Sequence, residues 1–199
     1  MKKLAVLISN TGTGTNLQAI IDGIKNKKIH AEIVAVVSDT PDAMGLERAK
    51  KYNLPIIISS KKEELLDILK KTHPDYICLC GWKQFITDEV IDFYPQKILN
   101  LHPGLIPDDL TSIVKNPDGT DGLWNKGKLT DAAIGNVIDQ KNTYAGSSIH
   151  FLTHEFDFGP VLGRCFEKVN VGDTITSLYN RLKIKENKLY QDVLTDLCK

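Results

Sequence analysis

Cysteine is scarce in this chain, four residues in 199, at positions 78, 80, 165 and 198. No Cys-x-x-Cys pair and no paired histidine ligands accompany them, which argues against a zinc site. Cys78 and Cys80 sit inside an apolar run and read as reduced core thiols of a cytoplasmic protein. An excess of either charge is also missing, since 25 Lys and Arg face 25 Asp and Glu. Nothing therefore points to nucleic acid or an acidic membrane as the main partner. No apolar stretch approaches the length of a membrane span. The opening MKKLAVLIS imitates a secretory signal, but its apolar run stops at Ile8, too short for an h-region. Internal repeats, low-complexity tracts and interdomain linkers are absent as well.

What is present reads as one globular domain over residues 1–199, with 42% apolar and 25% charged residues. Its first hundred residues alternate strand and helix patterns. LAVLIS (4–9), EIVAVVS (32–38), PIIIS (55–59), DYICLC (75–80) and KILNLH (97–102) are apolar on both faces, and amphipathic helices separate them. That pattern predicts an α/β, doubly wound, mostly parallel sheet, Rossmann-like and covered on both sides. After His102 the regularity breaks into a long irregular excursion over 103–126. A helix follows over about 129–140. SSIHFLT (147–153) and PVLGRCFEKV (160–169) predict a late antiparallel hairpin. A long C-terminal helix closes the chain, capped by Asp173 or Thr174.

Three polar foci carry the candidate chemistry. NTGTGTN (10–16) lies between strand one and helix one, where a doubly wound sheet presents N–H groups and a helix N-terminus to an anion. Gly12 and Gly14 admit close backbone approach, and Thr13, Thr15 and Asn16 add donors. The dinucleotide fingerprint wants a glycine at Leu17, and no Gly-Lys-Ser/Thr follows. A phosphate monoester thus fits better than a pyrophosphate. Asp39, placed to hold a ribose, keeps the alternative of an NAD-dependent dehydrogenase open, and a βα turn that binds nothing is the plain reading.

ILNLHP (98–103) is the second focus. Asn100 and His102 are two apart on a strand and leave the same face. Pro103 ends the ladder at the carboxyl edge, where ligands bind in open α/β sheets. His73-Pro74 is the internal control: it precedes strand four and falls at the opposite edge. The third focus is HEFDFGP (154–160). Taken alone, Asp157 is ordinary turn chemistry there; its interest depends on the hairpin lying beside strand five. His150 reads as a core histidine, His154 as exposed, and Glu186, on the residues alone, as part of a solvated helix face.

Together the segments LISNTGTGTNLQAIID, VVSDTPDAMGLERA, PDYICLCGW, KILNLHPGLIP, GSSIHFLTHEFDFGPVL and RLKIKENKLY are similar to the folate-dependent formyltransferases. The pattern is nearest to those acting on glycinamide ribonucleotide in purine biosynthesis. The resemblance implies transfer of the formyl group of 10-formyltetrahydrofolate, a co-substrate, to the amine of glycinamide ribonucleotide, with no metal and no covalent enzyme intermediate. It implies a catalytic trio of Asn100, His102 and Asp157. Asn100 and protonated His102 would donate to the formyl oxygen, and Asp157 would help move the proton through a water. It assigns the acceptor's phosphate to Gly12–Asn16 and the rest of the acceptor to Gly81, Pro103 and Glu186. Folate contacts fall to Trp82, Lys83, Phe85, Ile86, Leu99, Phe151, Leu152 and Thr153. A homodimer is left open.

Several positions depart from the family pattern. The phosphate loop is slightly longer, with Asn10-Thr11 in place of a first glycine. Lys83-Gln84 replaces a usual Met-Arg, and Gly104 replaces a small polar residue. The loop after Pro107, DDLTSIVKNPDGTDGLWNKGKLTDAAIGN, is longer and unlike its counterparts, which keeps another phosphorylated amine, such as an amino-sugar nucleotide, in play as acceptor. The lack of a preceding ligand-binding domain speaks against the related formyl-folate hydrolase. A non-catalytic folate or nucleotide binder would have no use for all three of Asn100, His102 and Asp157.

Overall fold

The sheet is assembled from strands that bury both faces, as their continuous apolar runs require. The computed structural model describes residues 1–10 and 12–199; Thr11 of the predicted loop lies outside them. The strands are β1 (Lys2–Ile8), β2 (Ala31–Ser38), β3 (Ile56–Ile58), β4 (Tyr76–Leu79), β5 (Ile98–His102), β6 (Tyr144–Phe151) and β7 (Val161–Lys168). They pair in the order β3-β2-β1-β4-β5-β6-β7. The first five are mutually parallel, whereas β6 runs antiparallel to β5 and β7 antiparallel to β6. The sheet is thus doubly wound with a late hairpin at one edge, as the sequence predicts. Its winding reverses between β1 and β4, which opens a crevice at their carboxyl ends.

The helices are α1 (Thr15–Lys25), α2 (Gly45–Lys51), α3 (Leu65–Thr72), α4 (Asp88–Phe93), α5 (Thr130–Asp139) and α6 (Ile175–Leu197). Strand alternation sorts the core into layers. Leu4, Val6, Ile8, Cys78 and Leu99 face α1, α2 and the end of α6. Ala5, Leu7, Ile77 and Ile98 face Leu65 and Leu69 of α3 and Val90 of α4. A further cluster joins Ile134 and Val137 of α5 to Leu178 and Leu182 of α6. All four cysteines are buried free thiols.

Two termini settle open points. Thr174, not Asp173, caps α6: its hydroxyl accepts the Ser177 N–H while Ser177 Oγ accepts the Thr174 N–H, a reciprocal box. Asp173 instead pairs with Arg181 at 2.6 Å. His73 ends α3 in the left-handed conformation, at the edge opposite the crevice, as its place before strand four requires. No described helix is long and apolar enough to cross a membrane.

Candidate active site

Two adjoining clefts lie along the carboxyl edge. The first, about 430 Å³, runs from Trp82 past Asn100 and His102 to Asp157. The second, about 480 Å³, lies over the loop of residues 12–16. Gly81, Lys83, Leu129 and Thr130 line both, so they form one two-chambered site.

The second chamber contains all five predicted anion-binding residues, Gly12 to Asn16. Gly14 caps α1 with φ 70°, a left-handed conformation open to glycine at little cost. A β-carbon there would also lie 2.7 Å from the Gly45 Cα. Arg48 braces the loop by donating from Nε to the Thr13 carbonyl at 3.0 Å. Sequence reasoning missed Tyr179 and Lys183, which line the same chamber from α6. Lys183 Nζ reaches Thr13 Oγ1 at 3.2 Å. Their spacing of four, one step off the buried stripe of the helix, was the available signal.

Asp39 does not face this chamber as a ribose ligand. It accepts a 2.7 Å hydrogen bond from Ser9 Oγ, and Ser9 Oγ in turn accepts the Lys83 N–H at 3.0 Å. Asp39 lines neither chamber, so it does not meet a ligand held over the loop.

The first chamber brings the predicted trio together. Asn100 pairs opposite His150, and His102 opposite Ser148, in the β5–β6 ladder. Hairpin and strand five are therefore neighbours, and Asp157 arrives beside His102, its Oδ1 3.5 Å from Nδ1. Asp157 holds φ 49°, a left-handed backbone that Asp tolerates better than most residues. Half-burial pushes its carboxyl up, but hydrogen bonding and the charge of His102, with the Gly127 N–H at 2.7 Å, outweigh this and leave it below its ordinary range. His102 is itself buried, and its Nε2 lies 2.7 Å from the Trp124 carbonyl.

Asn100 Nδ2 sits 3.1 Å from His150 Nε2. Burial first, and His102 second, hold the His150 ring down at about 4. At neutral pH it is an uncharged acceptor for one amide hydrogen of Asn100, which leaves the other for the cleft. His150 is the core histidine the sequence suggests, and it also orients Asn100. His154 is exposed, between Asp88 at 3.0 Å and Asp92 at 2.9 Å.

The remaining expectations divide. Trp82, Lys83, Phe85, Ile86, Leu152, Thr153, Gly81 and Pro103 line the first chamber. Leu99 and Phe151 do not: they are register partners whose side chains point into the core, 0% and 8% exposed. Glu186 is not on a solvated face, being 2% exposed. It falls four residues after Leu182 and four before Tyr190, on the inward stripe of α6. Its Oε1 accepts the Ser147 hydroxyl at 2.6 Å, and burial raises its carboxyl. Glu186 lines neither chamber.

Fold and site together define an α/β protein with a chamber over a glycine-threonine loop at a helix N-terminus, joined to a partly apolar one carrying an Asn-His-Asp cluster. The formyl transferase family profile matches residues 2–194, and the chain belongs to that family. It is 31% identical over 201 residues to phosphoribosylglycinamide formyltransferase of Escherichia coli K12, covering 96% of this chain and 85% of that one. It is 31% identical over 207 residues to the chloroplastic phosphoribosylglycinamide formyltransferase of Arabidopsis thaliana, covering 99% of this chain but only 65% of that protein. The crystal structure of glycinamide ribonucleotide transformylase 1 from Symbiobacterium toebii superposes with a TM-score of 0.81 at 29% identity, covering 98% of this chain and 86% of that one.

Proposed function

We propose that residues 1–199 act as one formyltransferase domain that moves the formyl group of 10-formyltetrahydrofolate to the primary amine of glycinamide ribonucleotide. The observation that carries this reading is the meeting of Asn100, His102 and Asp157 in a chamber that opens directly onto the loop of residues 12–16. The names of the relatives at 31% identity support the choice of acceptor.

The first chamber suits a flat, partly apolar co-substrate. Phe85 and Phe156 are exposed at its rim with ring centroids 6.2 Å apart, and Trp82 Nε1 is a buried donor with no partner among the described residues. Lys183, the N–H groups at the start of α1 and the Thr13 and Thr15 hydroxyls hold the acceptor's phosphate. That anchoring sets the amine against the formyl carbon, so attack becomes effectively unimolecular.

As the amine adds, negative charge gathers on the formyl oxygen. The free amide hydrogen of Asn100 donates to it, and protonated His102, held beside Asp157, adds positive charge nearby. The attacking nitrogen must lose a proton and the departing N10 must gain one. Asp157, ionised and half-buried, relays it through a bound water. The C–N10 bond breaks, giving the N-formylated acceptor and tetrahydrofolate.

The test is release of tetrahydrofolate on mixing the protein with both substrates. Asn100→Ala and His102→Ala should each lower the rate at least about tenfold while folate binding persists. Wild-type rates in either variant would remove that residue from the mechanism. Release with another phosphorylated amine, but not with this one, would move the assignment to that acceptor.

A further inference from the structure

The irregular loop after Pro107 returns to the active site and takes hold of it. Its returning end runs beside the segment that follows His102. The Leu105 N–H donates to the Leu123 carbonyl at 2.8 Å, and Asn125 Nδ2 donates to the Pro103 carbonyl at 3.3 Å. Asn125 is buried, and its Oδ1 accepts from Asn136 of α5 at 2.8 Å. Trp124 is therefore fixed on both sides.

Between these ties, three contacts reach the catalytic pair. The Trp124 carbonyl lies 2.7 Å from His102 Nε2. The Trp124 indole N–H donates to the Asp157 carbonyl at 3.0 Å. The Gly127 N–H donates to Asp157 Oδ2 at 2.7 Å. Gly104 makes the first contact sterically feasible, because a β-carbon there would lie 1.8 Å from the Trp124 oxygen and 2.9 Å from His102 Nε2. Backbone cannot yield to that overlap without moving the carbonyl off the ring.

We propose that Trp124 to Gly127 form a positioning clamp for the His102–Asp157 pair, and that Gly104 is the residue that lets the clamp close. A carbonyl oxygen only accepts, so it assigns a hydrogen to Nε2 of His102. Nδ1, facing the Asp157 carboxylate, is then the nitrogen that holds the second hydrogen of protonated His102. His150 faces the same ring from β6 and is spent on Asn100, so it does not compete for that role. The clamp's purpose rests on the assignment of His102 and Asp157 to formyl transfer; its geometry does not. Trp124, Gly127 and Gly104 are positioning residues that act through the pair.

Ring-nitrogen NMR of the histidine-labelled chain of residues 1–199 tests the clamp directly, alongside kcat and KM. In the wild type, Nε2 of His102 should carry a hydrogen whatever the state of Nδ1. An Nε2 that lacks a hydrogen, wholly or in part, overturns the clamp, and this reading needs no variant to fold. Gly104→Ala should dissolve the Nε2 preference, lower kcat on the order of tenfold and alter its pH profile, with KM for the folate unchanged. A preference retained in Gly104→Ala, or lost with kcat and pH profile intact, overturns the proposal. Wild type that shows the Nε2 signature but no formyl transfer would sink the assigned reaction and the clamp's role in it. Active wild type without the signature would sink the clamp alone.

Discussion

Replacing His150 with leucine separates two roles that a buried histidine beside a catalytic residue can have. Its Nε2 lies 3.1 Å from Asn100 Nδ2, and the ring is fully buried and held down at about 4 by burial and by His102. Above that pH it is neutral and serves only as an acceptor that orients the amide. His150→Leu removes one net hydrogen bond of about 0.5–1.5 kcal/mol, so kcat should fall about two- to tenfold. That is well short of the roughly hundredfold expected from deleting the Asn100 amide itself. Folding should suffer little, because His150 Nδ1 has no partner among the described residues and leucine removes that buried polar atom. The assay is kcat for tetrahydrofolate release across about pH 5.5 to 8.5, with a thermal melt as control. Any acidic limb seen in the wild type should persist, since His150 does not titrate there. A loss as large as that of Asn100→Ala, or disappearance of the acidic limb, would refute the orienting role.

Two further perturbations probe the second chamber and the helix behind it. Glu186 is buried and its carboxyl is raised, so the folded state holds a proton that the unfolded chain releases, and stability drains away as pH rises above the ordinary carboxylate range. Glu186→Gln keeps an acceptor for the Ser147 hydroxyl without a charge. It should melt above the wild type at about pH 8, with the gap closing toward about pH 4; a gap independent of pH would contradict the buried-charge reading. Lys183→Ala should raise KM for a phosphorylated acceptor about tenfold and leave KM for the folate alone. Equal effects on both substrates would place the lysine outside the phosphate chamber.

Much of this architecture was legible because short-range chemistry and long-range position agree. Five strands apolar on both faces leave few alternatives to a covered parallel sheet. Pro103 marks the carboxyl end of β5, and His73-Pro74 falls on the other edge, so position separated the histidine of the cleft from the plain one. Side chains whose fate depends on helix phase or register were harder to place. Glu186 looks solvated in a helix rich in charge, until Leu178, Leu182 and Tyr190 are aligned with it. Leu99 and Phe151 flank residues that line the cleft, yet alternation turns them into the core. The partnership of Asn100 with His150 depends on an antiparallel register across 50 residues, which no local pattern encodes. The Trp124 clamp acts through a carbonyl oxygen, a group every residue carries, so composition could not reveal it.

The central claim is that a formyl carbon passes from a reduced folate to the amine of glycinamide ribonucleotide within this one site. A single-turnover experiment with an isotope-labelled formyl carbon on the folate, read by mass spectrometry of both products, tests it most directly. The account predicts the label on the acceptor's amine, in step with tetrahydrofolate release and lost together with it in Asn100→Ala. Label recovered as free formate, or retained on the folate while the acceptor stays unchanged, would contradict it.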